Sequence, residues 1–506
     1  LLYYTVKEGV LRKYLFILIV SFLYSTITDI DGNVYQTVQI GHQVWMTENL
    51  KVTNYNNGDA IPTGLDNASW STTEEGAYAV YDDDPANTDI YGNLYNWHVV
   101  NDERDICPEG YHVPSDDEYK ILESFIGINQ QEIDIEGWRG NQAYKLKDEN
   151  LWDGNNESGF TALPSGWISN DLLFFNQLGS TTRLWTSSLQ NQFAISRQII
   201  SANNQIDRNF VNGDYNTGMS IRCVSNEIMN TTIYVPEDFP TIQAAIDYSI
   251  DGDTVLVSSG TYLENINFNG KNISLIGEDR ETTIIDGNNS STVLLIGYNN
   301  YDNIYVSNLT IQNSYGPAVY LNGQSNNVSA SFENLIFTNN YAYNSGGSSD
   351  DGGGIHAHWA NISLNNITFN SNTANGKAGA IFVNNGHCTL SNSVISNNSA
   401  NHSGAIYAND SNVEIINSFI EDNISNDDAG GIFATSSNFS IDSVRFISNT
   451  SQVKGGAIFS QNSQFNISNT LFYNNSAPEN ASVIITQGNS NLSLDQCTII
   501  GNSTEY

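Results

Sequence analysis

The chain has 506 residues, 39% of them hydrophobic, which leaves room for two or more domains with their own cores. Its formal net charge is −37, from 18 Lys plus Arg against 55 Asp plus Glu. A surface this acidic repels nucleic acid and anionic membranes, so neither is a partner, and neutral ligands or ligands bridged by cations remain.

Lys7, Arg12 and Lys13 precede the apolar run Tyr14 to Tyr24, and small or hydroxyl residues follow at Ser25, Thr26 and Thr28. The run is short of the roughly 20 residues a spanning helix needs, so residues 1–28 read as a signal peptide. Export places the mature protein outside the cell or on its outer surface. No second long apolar run exists to insert it into a membrane as a helix. The first residue is Leu and the last two, Glu505-Tyr506, fall in mid-repeat, so the sequence reads as a fragment whose C-terminal module is truncated.

Residues 29–225 hold seven of the eight Trp, two of the four Cys and no short repeat, and read as one globular domain. Ser115-Asp116-Asp117-Glu118 is a capping box, predicting a helix from 116 to about 126 with Tyr119, Leu122 and Phe125 or Ile126 on one face. The signposts of the domain run in order: Trp45-Met46-Thr47-Glu48-Asn49-Leu50, Tyr91 to Trp97, Cys107-Pro108-Glu109-Gly110-Tyr111 to Ser115, Ser158 to Pro164, Trp185-Thr186-Ser187-Ser188 and Ser220-Ile221-Arg222-Cys223-Val224. In that order they closely resemble the Fibrobacter succinogenes major paralogous domain. The resemblance implies an extracellular α+β domain of C-type-lectin-like topology, joined to other surface modules and without catalytic residues to carry over. Export favours a Cys107–Cys223 disulfide over two buried thiols.

A linker at 226–231 leads into Thr232-Ile233-Tyr234-Val235-Pro236. Ile242, Ala245, Ile246 and Ser249 then predict a short helix that caps an open solenoid end. Further on, an Ile that usually follows Gly or Ala recurs at Ile355, Ile381, Ile406, Ile432, Ile458 and Ile484, spaced by 26, 25, 26, 26 and 26 residues. Short apolar strands at that period, separated by Asn- and Gly-rich turns, are rungs of a solenoid. The pairs Ile362/Leu364, Cys388/Leu390, Val413/Ile415, Phe439/Ile441, Phe465/Ile467 and Leu492/Leu494 alternate with Ser363, Thr389, Glu414, Ser440, Asn466 and Ser493, which fixes an inward and an outward set. Phe369, Ile395, Ile420, Phe446, Phe472 and Ile499 face inward on the next strand. Cys388 and Cys497 then lie more than four rungs apart and cannot pair, roughly 20 Å by strand spacing.

Two columns punctuate the rungs, one at Asn308, Asn334, Asn366, Asn392, Asn417, Ser443, Asn469 and Gln496, the other at Asn372, Asn398, Asn423, Asn449, Asn475 and Asn502. Asn tolerates left-handed turns, and stacked amides hydrogen-bond along the axis, so both columns read as turn ladders. The entry segment resembles pectin-lyase-like right-handed parallel β-helices, and Phe369-x-x-Asn372 and Phe446-x-x-Asn449 ahead of Gly-Ala-Ile resemble polymorphic outer-membrane protein repeats. Together they cover about 232–506 and imply an all-β solenoid.

Candidate sites follow from the register. With Ile381, Ile406 and their equivalents inward, His356, Phe382, Tyr407, Phe433 and Phe459 form an outward column. If exposed, it is a surface for sugar faces or a partner protein; if the register is inverted, it fills the core. Residues 340–355 hold an insertion, Gly346 to Gly352, beside His356 and His358, so Asp350, Asp351, His356 and His358 are a candidate set for Ca2+ or another divalent metal, against a plain solvated loop. No paired carboxylates, and none of the basic residues that uronate lysis requires, stand in a recognisable motif, and residues 230–506 contain five Lys and Arg. These features describe a non-catalytic, secreted surface protein acting in adhesion or glycan binding, with polysaccharide or a cell-surface molecule as partner and no cofactor. A carbohydrate-active β-helix enzyme and a structural spacer are the alternatives.

Overall fold

The computed structural model describes residues 25–129, 131–169, 175–211, 213–297, 303–323, 328–343, 350–478 and 482–504. The basic and apolar parts of the leader lie outside these residues, as do Gly346 to Ser349 of the insertion. The chain divides into two compact units, Leu1–Met229 and Asn230–Tyr506.

The first unit is mostly β. One antiparallel sheet orders Thr26–Thr28, Val34–Ile40, Gln43–Met46, Val224–Ser225 and Tyr111–His112. A second orders Thr181–Gln190, Phe193–Ile200, Ile206–Val211 and Gly137–Arg139. Thr26–Thr28 pairs with Val34 to Gln36, so three residues assigned to the leader are an edge strand of the folded sheet. The capping box forms as the sequence implies: Ser115 Oγ accepts from the Glu118 amide at 3.2 Å, and the Glu118 carboxylate accepts from the Ser115 amide at 2.7 Å. The helix Asp116–Phe125 packs Tyr119 and Leu122 against Trp45 and Phe160. Cys107 and Cys223 are disulfide-bonded across a separation of 116 residues. In the chain-entropy account a loop that long is worth about 4 to 5 kcal/mol of stability.

A buried ionic cluster ties this helix to the second sheet. Arg197 donates to Glu123 at 2.6 Å and to Asp116 at 2.8 Å, Arg208 donates to Asp116 at 2.7 Å, and Arg139 pairs with Glu123. Burial would raise Asp116, but hydrogen bonds and charge from Arg208 and Arg197 outweigh it and hold the carboxyl well below the usual range.

The second unit is a parallel β-solenoid, opened by the helix Ile242–Tyr248, which buries Ile242, Ala245 and Ile246. Among the described residues the rungs stack into faces of 11, 10, 5 and 9 strands. On one rung these are Ala360–Asn365, Thr368–Asn370, Thr373–Lys377 and Ile381–Asn384, called here the first to fourth faces. The inward set is the main core from Ile362 to Ile467, while the intervening Ser363, Ser440 and Asn466 are exposed. Leu494 and Ile499, on the last described rung, have a stacked neighbour on one side alone and are exposed. Cys388 and Cys497 are both free, and burial pushes the Cys388 thiol up to about 12.

The two polar columns divide the labour. Asn308, Asn334, Asn366, Asn392, Asn417, Ser443, Asn469 and Gln496 have φ between 49° and 59°, so this column supplies the left-handed turns. The second column is buried. Asn372, Asn398, Asn423 and Asn449 each donate from Nδ2 to the Oδ1 of the next rung at 2.9 to 3.0 Å. Each Nδ2 also donates to a backbone carbonyl of the preceding rung, as Asn423 does to Ile395 at 2.9 Å, and each Oδ1 accepts a backbone amide as well. Every polar atom of the buried amide is therefore occupied.

Candidate functional site

On the fourth face, Ile381, Val383, Ile406, Ala408 and their equivalents enter the main core, so Phe382, Tyr407, Phe433 and Phe459 point away from it, as alternation requires. They are nevertheless covered, with relative exposures of 6%, 8%, 9% and 4%. Their rings stack rung on rung, with centroids 5.7 Å apart for Phe382 and Tyr407 and 4.8 Å for each following pair. His356 continues the stack, 4.7 Å from Phe382 and 4.9 Å from Tyr320.

The cover is the turn that precedes each strand. Gly352, Ala378, Ser403, Ala429 and Gly455 all have φ between 60° and 74°, which folds the chain back over the rings. Ala378 and Ala429 join the aromatic cluster, and Lys377 Nζ lies 4.8 Å from the Tyr407 ring. The glycines that follow, Gly379, Gly404 and Gly430, lie so close to the next rung that a Cβ would meet its carbonyl at 2.4 to 2.5 Å. Only glycine lets the turns stack so tightly. The column expected as an open surface or as main core is thus a second, roofed core outside the first.

The four candidate metal ligands are not brought together. Asp351 Oδ1 accepts from the Lys377 amide at 2.7 Å, His356 Nδ1 donates to the Asp351 carbonyl at 3.1 Å, and His358 Nδ1 accepts from Asn384 at 2.7 Å. Asp350 hands its carbonyl to the Gly376 amide. Burial drives His356 down to about 4, which makes it a neutral member of the ring stack at pH 7, and burial raises Asp351. Among the described residues no three His, Cys, Asp or Glu stand together as a metal site.

Single aromatic residues reach solvent on the first two faces, at Tyr234, Phe419 and Tyr473, but a cluster of them lies beside the third face, where the sequence reading did not look. Tyr315, Tyr341 and Tyr343 form a triad with centroids 5.4 to 6.0 Å apart, and Tyr315 is 42% exposed. Tyr341 Oη donates to Asn375 at 2.9 Å. Asn375 starts an outer amide column: Asn401 donates to its carbonyl, and Asn426 donates to Asn401 Oδ1 at 3.2 Å. Beside it Thr373 and Ser399 share a hydroxyl hydrogen bond of 3.1 Å. The available signal was Tyr341-Ala342-Tyr343 at the positions that Thr373/Asn375 and Ser399/Asn401 hold on the following rungs.

The fold and these surfaces define a mostly β domain joined to a parallel β-solenoid. Residues 38–225 match the Fibrobacter succinogenes major domain, and residues 443–461 match the Chlamydia polymorphic membrane protein repeat. No curated protein sequence matches the chain. Among solved structures, the catalytic domain of a GH87 α-1,3-glucanase in complex with tetrasaccharides is similar at 9% identity and a TM-score of 0.28, over 62% of this chain and 70% of that one. The A-module of a mannuronan C-5 epimerase from Azotobacter vinelandii is similar at 14% identity and a TM-score of 0.18, over 55% of this chain and 97% of that one. Among the described residues no helix is long and apolar enough to cross a membrane.

Proposed function

We propose that the protein is exported to the cell surface, where it binds neutral glycan without catalysis: a lectin-like N-terminal domain carried on a solenoid that itself contacts polysaccharide. The observation that carries this reading is the triad of exposed Tyr315 with half-buried Tyr341 and Tyr343, running into the Asn375, Asn401 and Asn426 column. Aromatic faces take the C–H face of a sugar ring, and amides and hydroxyls match its hydroxyl groups in both senses. A net charge of −37 disfavours polyanionic chains. Two of the solenoid's five cations are engaged within the fold, Lys271 on the Ile246 carbonyl at 2.7 Å and Lys377 over the roofed rings. The polymorphic membrane protein repeat supports a place on the outer surface.

The spacer reading draws on the roofed aromatic stack, a feature suited to stiffness rather than contact. Capture of the full chain on insoluble glucan, xylan and chitin, with polygalacturonate as the anionic control, separates the two. Replacing Tyr315 and Tyr343 by Ala removes about 1 kcal/mol per stacking ring, so capture weakens roughly tenfold or more. Wild-type protein that captures none of the four leaves the spacer.

A further inference from the structure

The second sheet of the N-terminal unit carries a row of side chains that the fold does not use. Its register pairs Arg183 with Gln198, Gln198 with Asp207, and Asp207 with Trp138. These four share one face, because their neighbours Leu184, Ile199 and Ile206 enter the core from the other. Four strands at about 4.8 Å make the row roughly 14 Å long. Each end is closed by an indole. The Trp167 ring lies 3.7 Å from the Arg183 guanidinium, and Trp138 is 38% exposed at the far end.

The polar groups between the indoles are unfilled. The other described arginines of this unit, Arg104, Arg139, Arg197, Arg208 and Arg222, all hydrogen-bond to carboxylates, amides or carbonyls. Arg183 is half-buried, its side chain makes no hydrogen bond or ion pair among the described residues, and its Nε is fully buried. The side chains of Gln198 and Asp207, also half-buried, likewise have no hydrogen-bond partner among them, and Trp167 Nε1 and Asp214 Oδ1 are buried and unpaired. Burial lowers Arg183 while Asp207 and Asp214 pull it back through space, so apart from the Trp167 ring the cation is balanced by carboxylates it does not touch. Burial likewise raises Asp207 against the attraction of Arg183. Half-buried donors and acceptors left open beside aromatic rings are the few placed polar groups that a ligand site needs.

We propose that Arg183, Gln198 and Asp207, flanked by Trp167 and Trp138, form a binding site for a neutral oligosaccharide. Arg183 and Gln198 donate to sugar oxygens, Asp207 accepts from a hydroxyl, and Trp138 covers a ring face. An anionic ligand meets Asp207 and Asp214 beside the one guanidinium, and a cationic ligand meets Arg183, so the row selects an uncharged chain. The site rests on the reading of the protein as a neutral-glycan binder and gives it a second contact, on the other unit.

The test uses the full chain titrated with the neutral hexasaccharides of cellulose, xylan, mannan and laminarin, and with hexagalacturonate. Binding is followed by calorimetry and by acrylamide quenching of tryptophan fluorescence. At least one neutral hexasaccharide should bind and shield tryptophan from quencher. Trp138→Ala and Asp207→Asn should each weaken binding tenfold or more, with the thermal transition of the unit unchanged, while the Tyr315→Ala/Tyr343→Ala protein keeps the shielding. Wild-type affinity and shielding in both Trp138→Ala and Asp207→Asn overturn this site and leave the solenoid surface standing. Preference for hexagalacturonate overturns the neutral ligand, and no binding of any neutral hexasaccharide or polysaccharide by the wild type overturns the broader reading together with this one.

Discussion

In the N-terminal unit, two buried carboxylates, Asp116 and Glu123, are held by three guanidiniums drawn from strands far apart in sequence. In the solenoid one set of interior polar groups is a ladder of amides, Asn372 to Asn475, each satisfied by the same three kinds of partner. Both arrangements meet the rule that a buried polar group must be paired. They differ in what they commit the fold to. A charge cluster is one irreplaceable knot, broken by losing any member. An amide ladder is neutral and repeats, so it can run as long as the rungs do.

The comparison breaks most sharply at the solenoid's inward positions. Ile441→Asp places an unpaired charge in the main core and disrupts two neighbouring rungs, and is expected to unfold that unit, whereas Ser440→Asp one residue away shifts stability by less than about 0.5 kcal/mol. Calorimetry of the full chain reads both, and equal effects refute the alternation. Next in size, removing Cys107 and Cys223 by Ser should lower the first unit's transition by about 4 to 5 kcal/mol and leave the solenoid's unmoved.

The roofed rings rank third. Phe433→Ala should destabilise the solenoid by about 3 kcal/mol, a core-like loss; a change below about 1 kcal/mol would show the roof to be open in solution. The two columns should separate similarly: Asn423→Ala orphans buried partners on both sides and is expected to cost about 3 kcal/mol, Asn417→Ala about 1 kcal/mol.

Acid sharpens the contrast last. Burial lowers His356 from its ordinary 6.5 to about 4, so the unfolded chain takes the proton first. The solenoid's stability is full above about pH 6.5 and falls by up to about 3 kcal/mol as pH drops to about 4, and His356→Phe should abolish that step. Asp116 is depressed instead, so its contribution is present above the usual carboxylate range and is lost only as pH falls further towards its folded value. The loss carried by His356 should therefore begin at a higher pH than the loss carried by Asp116.

What was legible in the sequence depended on how local the cause is. The Ser115–Glu118 box and the rung alternation around Ile415 and Ile441 are set by neighbours at fixed offsets, and the structure has them as read. The roof over Phe382 and Tyr407 was not legible. Alternation shows which way a ring points but not whether the preceding turn, at Ala378 or Ala429, folds back across it. The division between the Asn columns was hidden for a similar reason, since a left-handed turn and a buried ladder both favour Asn. Arg197 and Arg139 look like surface residues until the sheet register sets them against Glu123, and the Arg183 to Trp138 row exists only when four strands are aligned.

The buried amides also have a direction. Every Nδ2 from Asn372 to Asn475 points to the next rung's Oδ1, so each rung presents a donor to the rung after it and an acceptor to the rung before it. Duplicating one segment of about 26 residues therefore inserts a rung already compatible above and below, and lengthens the rod by about 4.8 Å. Reach is a property this architecture can change by copying alone, with no new interface to invent.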